Sequence, residues 1–182
     1  AEIIRMAIWA LKIVPGQGIQ ADLATVKGLV EEKEYLKALY LLEIMPENIE
    51  SAALKYQCKL KVSENSAIRY FDVIQEKYRG DEQYPAVMES IMHLVLDSDL
   101  RTDAVIKNGL DAAERLLRSG RNGDYRVHEA MGILCYRYGE SFKRKGVQAL
   151  ENSIPAAKMN RVGDDVIKHL EEQVKIYREK LD

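Results

Sequence analysis

The sequence predicts an all-α protein made of stacked antiparallel helical hairpins, with a further helix flanking the stack at each end. Three observations carry that expectation. Helix formers (Ala, Leu, Glu, Lys, Met) dominate, while β-branched residues in strict alternation are missing. The 182 residues include only four prolines and eleven glycines, spaced at intervals that suit helix ends. One helical phrase also returns along the chain. Ala38 and Leu42 stand in an i, i+4 relation within Tyr35–Asn48, and Ala67 and Phe71 repeat it within Ala67–Ile74. A small residue lets two helix backbones approach, and the large residue one turn later fills the gap beside it.

Taken in order, a first amphipathic helix is expected over about 2–14, ended by the breaker cluster Pro15-Gly16-Gln17-Gly18. Gln20 or Asp22 opens the second, whose Leu23, Val26, Leu29 and Val30 share one face. The next helix covers 35–45 and closes at Pro46-Glu47-Asn48, where Asn48 is a good N-cap for the helix after it. A second pair runs over about 49–62 and 65–79. A third runs over about 84–97 and 101–119, with Pro85 in a first turn and Gly120 as a C-terminal stop. A fourth takes 125–138 and 143–153, ending before Pro155. The closing helix, 163–181, puts Val166, Leu170, Val174, Tyr177 and Leu181 on one stripe, as the end of an open stack requires.

These features resemble the tetratricopeptide repeat and its looser relatives. The match is clearest in His128–Glu140, where Met131-Gly132 stands in place of the family's Leu-Gly and Tyr136 supplies an aromatic four residues later. The small anchors Ala38, Ala67, Ala104 and Gly146 drift in spacing (29, 37 and 42 residues), and Trp9 lies outside every repeat. The resemblance covers about residues 20–160. It implies a right-handed superhelix and one domain over 1–182, with 163–181 as a capping helix. It also implies a concave groove lined by the first helix of each pair. Arg126, Glu129, Tyr136 and Arg137 would project into that groove from the fourth pair, and Tyr56 and Lys59 from the second.

Composition narrows the function classes. An apolar fraction of 47% and a charged fraction of 31% describe a globular chain. No apolar run approaches the ~20 residues of a membrane span. The stretch Met6–Leu11 resembles a signal core, but Glu2, Arg5 and Lys12 and the lack of an Ala-x-Ala site argue against one. A start at Ala1 instead of Met suggests a processed product or an excised part of a longer protein. The net charge of −2 argues against a general nucleic-acid binder. The charge is unevenly spread, however. Residues 1–99 carry 11 basic and 16 acidic side chains, residues 100–161 carry 12 and 7, and the remainder 4 and 6. The basic block 100–161 is therefore a candidate polyanion surface.

Chemistry-bearing patterns are sparse. Cys58 and Cys135 form no Cys-x-x-Cys pair and read as buried hydrophobes, leaning to a reducing, cytoplasmic setting. His93 lacks a second ligand at i+4. Asp165 and His169 have that spacing, yet Asp164-Asp165 reads more simply as an acidic first turn favoured by the helix dipole. No nucleophile elbow or phosphate-cradling glycine loop is present, and no cofactor or metal is expected. The most suggestive cluster is Arg126, Arg137, Lys143, Arg144 and Lys145, interleaved with Tyr125, Tyr136 and Tyr138. Tyr and Arg anchor interfaces, and an Arg fork suits carboxylates. The expectation is a non-catalytic scaffold binding a peptide segment or partner subunit, a homo-oligomer being one form of the latter. The alternatives are an accessory docking or dimerisation domain of a larger enzyme, and polyanion binding.

Overall fold

A computed structural model of the chain describes residues 22–99 and 102–181. The helix expected over 2–14 and its breaker cluster lie outside them. The described residues form helices and turns and no strand. The helices are α1 (Leu23–Glu31), α2 (Tyr35–Ile44), α3 (Ile49–Val62), α4 (Glu64–Tyr78), α5 (Tyr84–Leu96), α6 (Asp103–Leu116), α7 (Tyr125–Tyr138), α8 (Glu140–Met159) and α9 (Asp164–Glu179). The all-α expectation holds, and packing is chiefly between helices adjacent in the chain.

Local chemistry accounts for most boundaries. Asp22, extended at the N-cap of α1, accepts the Thr25 amide at 2.7 Å. At α3, Asn48 and Ser51 form a reciprocal capping box in which each side chain accepts the other's backbone N–H. Gly139, the single residue between α7 and α8, has φ 147°, a conformation closed to most L residues. The chain therefore reverses there in one step.

Two boundaries differ from expectation. The helix expected to reach 119 ends as α6 at Leu116 and continues as a π-turn, Leu117–Arg121, where Gly120 sits at φ 95°. The helix expected over 143–153 is α8, which starts at Glu140 and runs through Pro155 to Met159. Proline removes one backbone donor, but its ring is exposed here, and Ala156 and Ala157 beyond it are buried. Core packing on both sides of Pro155 keeps the last turn helical where local propensity would end it.

Contacts group the chain into two compact units, residues 1–87 and 88–182, divided within α5. In the first unit, Val26, Ala38, Leu41, Leu42 and Cys58 form one apolar cluster. Tyr56 of α3 meets Phe71 of α4 edge-on at 6.2 Å between ring centroids. Each such fully buried large side chain contributes about 1.5–3 kcal/mol relative to exposure. In the second unit α7 and α8 pack most intimately. A β-carbon on Gly132 would fall 2.5 Å from Leu150 Cγ, and one on Gly146 would fall 2.7 Å from the Gly132 carbonyl oxygen. Gly109 brings α6 against Val95 and Leu134 in the same way.

Gly28 presents the opposite case. It lies inside α1, and a β-carbon there would meet nothing within 4 Å. Gly28→Ala should stabilise the protein by roughly 0.5–1 kcal/mol through reduced freedom of the unfolded chain. A chemical-denaturation midpoint that fell instead would contradict the open environment at that helix turn.

Candidate functional site

The N-terminus of α7 is built by a shared carboxylate. Asp124 caps the helix through the Arg126 amide at 3.1 Å, and its other contacts are guanidinium groups. Arg121 Nη2 lies 2.6 Å from Asp124 Oδ2, while Arg126 donates from Nε and Nη2 at 3.2 and 3.1 Å. Arg121 also forms a two-pronged pair with Glu89 at 3.0 and 3.1 Å. Burial pushes the Asp124 carboxyl up, but the hydrogen bonds from Arg126 and Arg121 outweigh it and bring the group down to about 2. The Arg121 fork also holds Glu89 below the usual carboxylate range. Arg126 is thus oriented by Asp124 while more than half of its side chain stays exposed, at 56%.

Along α7, the residues expected to line a groove fall within one arc of the helix, since 126, 129, 133, 136 and 137 are successive one-face positions. The structure sets α9 beside that arc. Glu129 Oε1 lies 3.9 Å from His169 Nε2, an ion pair when the imidazole is protonated. Tyr136 stacks on Tyr177 with ring centroids 4.5 Å apart and planes 25° apart. The Lys143 ammonium lies 4.9 Å from the Tyr136 ring centre and is held by Glu140. Gln173 Nε2 lies 3.0 Å from His169 Nε2. His169, Gln173 and Tyr177 recur every four residues, so α9 contributes one stripe to this surface. That periodicity is visible in the sequence, but nothing in it says which element the stripe faces.

Arg137 is engaged differently. Its Nη1 donates to the Leu96 carbonyl oxygen at 2.6 Å, satisfying the last turn of α5. Tyr56 does not line any open surface. It is fully buried, because α3 packs that face onto Phe71 of α4. Lys59 lies on the first unit's surface, 3.3 Å from Ser66 Oγ and 3.8 Å from Glu43 Oε1. The structure therefore gathers Arg126, Glu129 and Tyr136 on one side of α7, gives Arg137 a helix-capping bond, and places Tyr56 and Lys59 in the other unit.

Other reactive groups are quiet. Both cysteines are buried, and burial pushes the Cys58 thiol up to about 11. Asp165 lies over Gly163 at the start of α9, while His169 faces Glu129. Among the described residues no group of three His, Cys, Asp or Glu side chains is placed to hold a metal ion. Nor is any helix among them long and apolar enough to cross a membrane. Compared with known protein families, curated proteins and solved structures, the chain matches none.

Proposed function

We propose that this protein is a non-catalytic interaction module and that the α7–α9 face of its second unit binds a peptide segment or subunit of a partner protein. The observation that carries this reading is the fixed aromatic and ionic stripe itself. Tyr136 and Tyr177 are already stacked, and Arg126 is already oriented by Asp124, so binding need not order them. Preformed anchors lower the entropic cost of association. Consecutive helices joined by short turns, with close glycine contacts between α7 and α8, are consistent with tetratricopeptide-like hairpins. In that arrangement α9 continues the series as the next groove helix.

Polyanion binding by the block 100–161 draws less support. Several of its cations are committed locally, including Lys145 and Arg118 with Glu114, Arg121 with Glu89 and Asp124, and Lys158 with Glu171. Charges already neutralised by a neighbour release fewer counterions on a polyanion.

The test is affinity capture from a lysate of the source organism with wild type and an Arg126→Glu/His169→Glu variant. Both side chains are largely exposed, at 56% and 62%, so circular dichroism should show an unchanged fold. A partner retained by wild type and lost by the variant, with a tenfold or greater drop in affinity on purification, is the expected result. A partner held equally by both proteins would remove the α7–α9 face from the interface.

A further inference from the structure

We propose that the first unit carries a separate binding site for a small phosphomonoester in the elbow between α3 and α4. A cavity of about 400 Å³ opens there. It is lined by Lys59 and Ser63 from the end of α3, and by Asn65, Ser66, Arg69, Tyr70 and Val73 from α4. The lining holds two cations and no acid, although residues 1–99 as a whole carry more acidic than basic side chains.

The cations differ in their engagement. Lys59 is braced by Ser66 and, at longer range, by Glu43. Arg69 is exposed and has no ion pair among the described residues. Its guanidinium is free to present a planar fork to an oxyanion. Ser63 makes no capping bond to α4, which leaves its hydroxyl available beside the Asn65 amide. A carboxylate has two acceptor oxygens, whereas a phosphomonoester has three and a charge near −2. Arg69, with no ion pair among the described residues, supplies a full charge, and Lys59, shared with Glu43, and the neutral donors add to it, which matches the latter.

The remainder of the cavity suits an organic group. Tyr70 forms one wall and is fixed there, because its hydroxyl donates to Glu47 Oε1 at 2.5 Å. Lys77 holds the other oxygen of Glu47 at 3.2 Å. Val73, 44% exposed, adds an apolar surface. The volume lies at the lower end of the roughly 300–1,000 Å³ typical of small-molecule sites and exceeds what bare phosphate fills.

Phenyl phosphate titrated into the full chain by calorimetry is the direct probe, with inorganic phosphate and benzoate as comparisons. Phenyl phosphate should bind more tightly than either: inorganic phosphate lacks the ring that meets the Tyr70–Val73 wall, and benzoate carries the ring but only two acceptor oxygens and a single charge. Arg69→Gln should weaken it about tenfold or more with the melting temperature unchanged, because Arg69 carries no structural ion pair. Arg144→Gln, an exposed arginine in the other unit, should leave binding as it was. Three outcomes would overturn the proposal: no heat with phenyl phosphate, equal binding of benzoate, or equal weakening by the two arginine variants.

Discussion

Gly146→Ala should lower the melting temperature by about 10 °C, reflecting a loss of roughly 3 kcal/mol. The reason is a backbone contact. The added methyl would lie 2.7 Å from the Gly132 carbonyl oxygen, 3.1 Å from Cys135 Cβ and 3.2 Å from the Tyr136 nitrogen. None of these is the flexible end of a side chain, so α7 and α8 must separate to accept it. Separation would loosen the layer of Leu134, Leu150 and Cys135, all 0% exposed. Gly123→Ala is the matched control, because a β-carbon there meets nothing within 4 Å. Its melting temperature should stay within about 2 °C of wild type. Similar melting of the two variants would show that the α7–α8 approach is not tight in solution.

Asp124→Ala should cost roughly 2–3 kcal/mol at neutral pH, combining a lost helix cap with two arginines left without their shared carboxylate. Asp124→Asn separates the two contributions, since asparagine caps as well as aspartate but carries no charge. The charge part has a defined pH signature. The folded carboxyl titrates at about 2, below its ordinary value of 3.8. A depressed carboxylate stabilises the fold above the unfolded value, and that stability is lost as pH falls from about 4 toward 2. Linkage puts it at roughly 2 kcal/mol. In urea titrations at stepped pH, wild type should therefore lose stability more steeply than Asp124→Asn across that interval. Parallel acid limbs would mean that the arginines do not hold Asp124 ionised.

Helix positions were largely legible because their signals are local. Asn48 with Ser51, Asp22 with Thr25 and Pro85 in a first turn are decided by residues within one helical turn. The two misplaced boundaries were not local questions. Pro155 stays inside α8 because residues on both sides of it are buried by distant partners. The π-turn after Leu116 ends in Arg121, whose guanidinium is held by Glu89, thirty-two residues earlier in the chain.

The candidate site divides along the same line. The family resemblance singled out Arg126, Glu129, Tyr136 and Arg137 on α7, and a 3.6-residue repeat puts those positions on one arc. Neither could say that Tyr56 would face Phe71 in the interior, that Arg137 would cap α5, or that His169 and Tyr177 would join Glu129 and Tyr136. By itself, the sequence determined the helical class, most helix ends and the arc on α7, since all three arise from interactions within about four residues. Tertiary structure alone decided which face of each helix is covered and which charges are spent on neighbours, because those depend on contacts between residues tens of positions apart.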